Sequence, residues 1–319
     1  MTFPVFFHDA TGNEPYDYQV RLARGECVSR LINIPTGLGK TAAVVLAWLW
    51  NRVQLQDPKW PRRLVYCLPM RTLVEQTETS VRSWLDKLKL ADAVGIHVLM
   101  GGEELDRDWD VRPERPAILI GTQDMLLSRA LNRGYGMSRY RWPMHFGLLN
   151  NDCLWVMDET QLMGVGVETS AQLDGFRHMG AKPSFGVCPT WWMSATLDDA
   201  RLTTVDHPKP ADGWLVEQLS DTEQSSGRPH DLITAAKKLS RAALKDASAP
   251  LTLNSATKDY AGQLAKLVKE RHKTGTLTLV VVNRVKRARE IFEALTTGKN
   301  PLYDREKVAL IHSRFRPAD

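Results

Sequence analysis

The sequence predicts an α/β protein built on a doubly wound parallel sheet, and three observations lead there. Short apolar runs alternate with longer segments of helical periodicity through the first 200 residues. One of those runs, 28–35, leads into Pro35-Thr36-Gly37-Leu38-Gly39-Lys40-Thr41, a loop whose glycines let successive backbone N–H groups curl around phosphates. Another, 153–157, ends 117 residues after that loop's threonine in an acidic pair, Asp158-Glu159. A phosphate loop and an acidic pair, both at strand ends, fit the carboxyl edge of a doubly wound sheet, where ligands bind.

Taken in order, the strand candidates are 28–35, 63–69, 94–99, 116–121, 153–157 and 187–194. Each is apolar at consecutive positions, as strands covered on both faces require. Helices are predicted between them at 42–50, 71–88, 122–131 and 168–179, with Pro113-Glu114-Arg115-Pro116 and Gly134-Tyr135-Gly136 as loops. From 206 the character changes. Residues 206–230 are rich in Pro, Gly, Ser and acids and read as a linker with one short strand, Trp214 to Leu219. Helices recur at 231–247, 258–272 and 285–296, with strands at 277–283 and 308–312, the opening of a second α/β unit. The predicted domains are therefore 1–205, a linker at 206–230, and 231–319. No short-period repeat or low-complexity segment is visible.

Composition narrows the class. At 319 residues, 25% charged and 43% hydrophobic, the chain has the balance of a globular protein with about two domains. The longest apolar run, 42–50, is nine residues, against roughly 20 for a membrane span. Met1 to Phe7 lacks a basic leader, so a cytoplasmic protein with no membrane partner is expected. Cys27, Cys67, Cys153 and Cys188 are far apart and contain no Cys-x-x-Cys, which argues for free buried thiols in a reducing compartment and against a zinc ribbon or redox dithiol. Residues 221–319 carry a net charge of +8 and the remainder −3. That asymmetry fits a polyanion track, with nucleic acid the leading polyanion; alternatively Lys237, Lys238, Arg241 and Lys245 are the solvated face of one amphipathic helix.

The residue types in the two strand-end motifs fit ATP hydrolysis. Thr36, Gly37 and Gly39 would wrap the phosphates and Lys40 would neutralise their charge. Thr41 and Asp158 would hold Mg²⁺, and Glu159 would orient and deprotonate the attacking water. One departure stands out: the general loop begins with Gly where this chain has Ile34. Ser194 and Thr196 either relay the γ-phosphate state through hydroxyl hydrogen bonds or are ordinary strand-end punctuation, and their position after the acidic pair favours the relay. Trp191 and Trp192 either stack on bases or fill a strand interior, and their setting favours burial. His8-Asp9 and His230-Asp231 raise a metal-nuclease reading, which the scatter of the eight histidines rejects.

In motif order the whole chain resembles the superfamily 2 helicases. Glu14-Pro15-Tyr16-Asp17-Tyr18-Gln19 resembles the adenine-reading Q motif, Leu68-Pro69-Met70-Arg71-Thr72-Leu73-Val74-Glu75-Gln76-Thr77 motif Ia, and Gly121-Thr122-Gln123-Asp124-Met125-Leu126-Leu127 motif Ib. Asp158-Glu159-Thr160-Gln161 and Ser194-Ala195-Thr196 are similar to motifs II and III, and Asn283 with Arg284 falls where motif IV would lie. The resemblance implies a RecA-like P-loop NTPase domain followed by an incomplete second RecA-like domain, with ATP and Mg²⁺ as cofactors. It also implies that Gln19 pairs with adenine and that Pro69, Arg71, Thr72, Gly121, Thr122, Asp124 and Asn283 hold a nucleic-acid backbone.

A narrower resemblance, to the CRISPR-associated helicase-nuclease of the type I-G branch, rests on Asp158 to Gly164, Thr169 to Arg177, Trp191 to Leu197 and Ile311 to Pro317. It implies an ATP-dependent helicase or translocase acting on single-stranded DNA and recruited by an RNA-guided CRISPR effector complex. No Gln-x-x-Gly-Arg-x-x-Arg motif VI occurs, so the expectation is the front of a longer protein whose HD nuclease would follow Asp319, able to bind ATP but not to unwind productively alone. Two other readings stay open: a non-catalytic ATP and nucleic-acid binding module, and an RNA helicase of the same superfamily.

Overall fold

A computed structural model describes residues 1–101, 108–134, 136–178, 185–196, 199–236, 257–297 and 301–311, with 257–259 as backbone alone. The chain divides into two compact units, Met1–Ala235 and Ala236–Asp319.

The first unit runs α1 (Phe3–Thr11), α2 (Asp17–Arg24), β1 (Arg30–Asn33), α3 (Lys40–Trp48, extended by a π-helical turn Leu49–Gln54), β2 (Arg63–Leu68), α4 (Arg71–Leu88) and β3 (Gly95–Leu99). It continues through α5 (Asp108–Val111), β4 (Ala117–Thr122), α6 (Gln123–Ala130), α7 (Trp142–Leu149), β5 (Cys153–Met157), α8 (Gly166–His178), β6 (Thr190–Ser194), β7 (Val216–Gln218), α9 (Asp221–Ser225) and α10 (Gly227–Thr234). Seven strands form one sheet in the order β3-β4-β2-β5-β6-β1-β7, and every pairing is parallel. This is the doubly wound, RecA-like sheet that the sequence predicts.

Both faces are covered, which is why the strands read as unbroken apolar runs: β2 and β5 are buried at every position. One cluster holds Phe6, Trp48, Tyr66 and Trp191 against α1 to α4; the other holds Leu126, Trp155, Val167 and Trp192 against α6 and α8. Consecutive strand residues point to opposite faces, so Trp191 and Trp192 fill one core each, both fully buried. Their indole N–H groups donate to Val28 O at 2.9 Å and Ser170 Oγ at 2.8 Å. They are core residues, which settles the alternative of base stacking.

Helices α1, α2 and α7 fall in segments the sequence reading left without structure. For α1 the signals were present: Pro4 in its first turn and Gly12 closing it at φ 76°. Residues 206–230 do contain the expected short strand, but it hydrogen-bonds beside β1 and adds an edge to the sheet. In the second unit α11 (Thr257–Arg271) and α12 (Val285–Thr296) pack through Ala261, Ala265, Ile291 and Leu295. The predicted strands at 277–283 and 308–312 are not strands among the described residues. Along 277–283, Val280 and Val282 pack on the helices while Leu279 and Val281 are exposed, but no described neighbour pairs the backbone, and a strand needs such a partner. The helix predicted at 231–247 meets α10 only over 231–234, where α10 ends and residues 235–236 leave the helix; Lys237, Lys238, Arg241, Lys245 and the stretch after Ile311 lie outside the described residues.

The segment that follows β6 is held down by Asp174, a buried carboxylate on α8. It accepts from Ser29 Oγ (3.0 Å) and Thr190 Oγ1 (2.6 Å) and lies 3.2 Å from His207 Nε2 and 3.4 Å from His178 Nδ1. The His207 ring also presents Nδ1 to Leu202 O at 2.8 Å, so both ring nitrogens face acceptors, the bonding of an imidazolium. At Gly175 a Cβ would meet Asp206 O at 2.2 Å, so only glycine lets this segment cross α8.

For His207 burial is the largest single influence and opposes the charge, but the bonds to Asp174 and Leu202 O together with the Asp174 charge outweigh it and raise the pKa; for His178 the Asp174 bond is the leading cause of a rise. Raised folded-state values stabilise fully below the ordinary 6.5 and lose that contribution as pH climbs through the folded value. The Tm of the parent should therefore fall above about pH 6.5, more steeply than that of His207→Gln. Parallel Tm-versus-pH curves for the two proteins would contradict this.

Candidate active site

Because all strands run the same way, the loops that leave their carboxyl ends share one edge of the sheet. Sheet order sets those loops side by side: Thr122-Gln123-Asp124 after β4, Pro69 to Thr72 after β2, Asp158-Glu159 after β5, Ser194 to Thr196 after β6, and Ile34 to Thr41 after β1. Phosphate-loop, acidic and hydroxyl motifs thus cluster on one side, and the two predicted nucleic-acid loops on the other.

The phosphate loop needs its glycines for backbone reasons. Gly37 and Gly39 have φ of 88° and 74°, the left-handed region that side chains resist. A Cβ on Gly39 would also come within 3.0 Å of Gln19 Nε2. Thr36 is exposed at the loop's turn. Lys40 opens α3, is buried, and donates from Nζ to Ile34 O at 3.0 Å. Ile34 stands at the usual glycine position because its side chain is wholly buried in the core while its carbonyl alone faces the loop.

Gln19 departs from its expected role. Its Oε1 accepts from Tyr16 N–H at 2.9 Å, and its Nε2 donates to Gly39 O at 3.1 Å. With both ends of the amide occupied and the residue 1% exposed, Gln19 braces the loop here and does not present its amide to an adenine edge. Tyr18, which the sequence reading passed over, adds a second brace, its hydroxyl donating to Leu38 O at 2.6 Å. Arg21 ties the same helix to Glu217 and Glu223 at 2.8 and 3.0 Å.

Tyr66, on β2, is the other residue that sequence reasoning missed. Its hydroxyl donates to Asp158 Oδ2 at 2.7 Å and lies 3.2 Å from Thr41 Oγ1. A phenol has one hydrogen, so the Thr41 hydroxyl donates to the phenol oxygen. The two predicted metal-holding side chains are thereby brought together through one buried ring. Burial is the main force raising the Asp158 pKa, aided by the charge of Glu159; the Tyr66 bond and Lys40 oppose it. Only the unbroken apolar run of β2 hinted at Tyr66, and many buried strand tyrosines share that setting.

Glu159 takes a left-handed backbone at φ 54°, uncommon for a non-glycine residue and a mark of functional sites. Its Oε2 accepts from Gln161 Nε2, and Gln161 Oε1 accepts from Ser194 Oγ at 2.8 Å. Ser194 Oγ in turn accepts from the backbone N–H of Thr196 at 3.0 Å. A continuous bridge therefore joins the strand ends of β5 and β6, with Gln161 as the unforeseen middle link. The Thr196 side chain is exposed, so its part in the bridge comes from its backbone and not from the hydroxyl, as had been expected.

On the other side of the edge, Arg71 and Thr72 are exposed at the start of the 18-residue α4, and no side chain caps that helix. Its first-turn N–H groups suit phosphate, and Arg71, although donating to Gly101 O, is exposed beside them. Pro69 is half-buried under the same turn. Gly121, expected to hold a phosphate, is instead buried within β4, where a Cβ would strike Leu99 O at 2.6 Å, so it permits close strand packing. Thr122 is half-buried at the α6 N-cap, and Asp124 is exposed in the first turn. A carboxylate repels phosphate, so contact through the Asp124 side chain would go to a base or sugar donor. Asn283 is exposed in the second unit. Among the described residues no group of three or more His, Cys, Asp or Glu is placed to hold a metal ion. Also among them, no helix is long and apolar enough to cross a membrane.

The bridge gives a sharp test. Tyr66→Phe removes the donor to Asp158 and should weaken Mg²⁺-dependent ATP binding by about tenfold, the order of one hydrogen bond to a charged group. ATP titrations with and without Mg²⁺ would show it; equal affinity of parent and variant in Mg²⁺ would sink the idea.

The family of DEAD/DEAH box helicases matches residues 21–205, more than half of the chain. No curated protein matches. Among solved structures, Mss116p bound to ssRNA and AMP-PNP is 18% identical with a TM-score of 0.46, covering 68% of this chain and 43% of that one. The DUF1998 helicase MrfA bound to DNA is 17% identical with a TM-score of 0.47, over 68% of this chain and 29% of that one. A variant of S. cerevisiae Dbp5 bound to RNA and ADP BeF3 is 17% identical with a TM-score of 0.41, over 69% and 50%. The chain thus spans half or less of the length of each of these proteins.

Proposed function

We propose, from the premise that this chain belongs to the DEAD/DEAH box helicases, that it is the ATP-hydrolysing portion of a helicase or translocase moving on single-stranded DNA. In the same proposal the protein serves interference by a type I CRISPR system, recruited by an RNA-guided effector complex, and residues 231–319 begin a second RecA-like domain in which Asn283 meets the nucleic-acid backbone. The observation that carries the ATPase reading is the Tyr66 bridge between Thr41 and Asp158. It gathers two oxygen donors, a hydroxyl and a buried carboxylate, of the kind a hard divalent cation takes. A cation beside Asp158 would also offset the burial that raises its pKa.

In this reading Thr36, Gly37 and Gly39 wrap the phosphates, Lys40 exchanges Ile34 O for a phosphate oxygen, and Thr41 and Asp158 hold Mg²⁺. Bound Mg²⁺ supplies neutralisation of phosphate charge. Glu159, with Oε2 tethered by Gln161, takes the proton of the attacking water at Oε1. The Gln161-Ser194 link connects that carboxylate to the β6 loop, where a change at the phosphates could be felt. Pro69, Arg71, Thr72, Thr122 and Asp124 would line the nucleic-acid track on the far side of the edge.

Support for the CRISPR assignment comes from the sequence strings at 158–164 and 169–177. The test is binding of equal-length single-stranded DNA and RNA, followed by fluorescence anisotropy with a non-hydrolysable ATP analogue at several salt concentrations. Preference for DNA, with an affinity that falls as salt rises, is expected. Binding of RNA without DNA would overturn the DNA assignment and leave the RNA-helicase reading in its place.

A further inference from the structure

Sequence spacing scatters the four cysteines, but the fold brings two of them together. Parallel register sets Trp155 opposite Thr190, and Trp155 N–H donates to Pro189 O at 2.9 Å. Two residues earlier, Cys153 at the start of β5 therefore stands beside Cys188 in the segment leading into β6. Residues in register on parallel neighbours share a face, and both thiols lie in the same apolar cluster as Trp155 and Leu149. Both sulfurs also reach the same turn: Cys153 Sγ lies 3.1 Å from Leu148 O and Cys188 Sγ 3.8 Å from Leu149 O. Neighbouring strands run about 4.7–4.9 Å apart, inside the Cα separation of about 4.4–6.8 Å that a disulfide spans.

The electrostatic setting separates Cys153 from the other thiols, Cys188 included, which burial pushes well up. Arg63 Nε donates to Cys153 Sγ at 3.4 Å, and Arg177 lies over the Trp155 ring at 5.0 Å. Burial opposes ionisation of Cys153, but the Cys188 thiol and the Arg63 guanidinium outweigh it and bring the group down to about 7. Burial instead pushes Cys27 and Cys67 up.

We propose that Cys153 and Cys188 are an oxidisable pair that closes into a disulfide, tying the base of β5, whose far end leads to Asp158-Glu159, to the base of β6, which ends at Ser194. With hydrogen peroxide as oxidant, the Cys153 thiolate attacks one peroxide oxygen, the O–O bond breaks, and the departing hydroxide takes up a proton to leave as water. The Cys188 sulfur then attacks the resulting sulfenic sulfur, the S–O bond breaks, and the Cys188 proton leaves with the hydroxyl as a second water. Each disulfide consumes one peroxide and releases two waters. The sulfurs are buried, so access depends on local opening and the reaction is slow.

The native protein is treated with hydrogen peroxide, unfolded in an alkylating reagent and digested for mass analysis. Cys153 and Cys188 should leave the alkylated pool together and reappear as one cross-linked pair that dithiothreitol releases, while Cys27 and Cys67 stay alkylated. In Cys188→Ser, Cys153 should instead be trapped by dimedone as sulfenic acid. Loss of Cys153 and Cys188 no faster than Cys67, or cross-links distributed among all four cysteines, overturns the proposal; the parent protein alone decides this if the variant does not fold.

Discussion

Glu159→Gln is expected to bind ATP within about twofold of the parent while its hydrolysis falls by about 10²–10⁴-fold, the range for loss of a general base. The substitution keeps the length and shape of the side chain, and an amide oxygen can still accept from Gln161 Nε2, so the bridge to Ser194 is retained. What it removes is a carboxylate able to take a proton from water. The left-handed backbone at Glu159, φ 54°, aims the side chain away from the path that β5 would otherwise continue. Single-turnover hydrolysis beside an ATP titration separates binding from chemistry. Hydrolysis within threefold of the parent's, on the order of the scatter of such assays, would assign the base elsewhere.

The second large effect is structural. Asp174→Ala should lower stability by about 3–5 kcal/mol, the cost of removing one partner from a buried charged network, and the Tm by about 10 °C. Asp174 is 2% exposed and gathers Ser29, Thr190 and His207 from three separate stretches of chain, together with His178 of its own helix. Its removal leaves a buried imidazole, two hydroxyls and the crossing at 206–207 without their common acceptor. Below the lowered Tm, ATP affinity should be unchanged, because the phosphate loop makes none of these contacts. A Tm shift smaller than about 2 °C, equivalent to less than about 1 kcal/mol, would contradict the role given to this carboxylate.

Asp174 also bears on what the sequence could and could not tell. The string 169–177 supports the CRISPR resemblance, yet within the fold its residues are engaged in packing: Ser170 accepts from Trp192, Asp174 anchors the crossing segment, Gly175 makes room for it, and Arg177 reaches Asn150 and Thr190. Six strands of the sheet were legible because burial on both faces forces apolar runs, and β7 because its edge position left a short one. The phosphate loop and the acidic pair were legible because their chemistry demands particular residue types at strand ends.

What escaped the sequence were contacts between distant positions. Tyr66 looks like any buried strand tyrosine until β2 is set beside β5 and the phosphate loop. Gln161 lies within the acidic motif, but its two-sided bridge exists only when β6 is adjacent. Gly121 and Gln19 were read by motif position, whereas the first is a packing glycine facing Leu99 and the second a brace for Gly39. Val280 and Val282 gave 277–283 the pattern of a strand, and a pattern does not supply the partner on which a strand depends.

ATP binding by the parent and by Lys40→Ala, each titrated with and without Mg²⁺, decides whether this edge of the sheet holds the nucleotide. Binding should be saturable, tightened by Mg²⁺ and weakened by Lys40→Ala by at least about tenfold, or about 1.4 kcal/mol. Affinity indifferent to both Mg²⁺ and the Lys40 substitution would contradict an ATP site on this edge of the sheet.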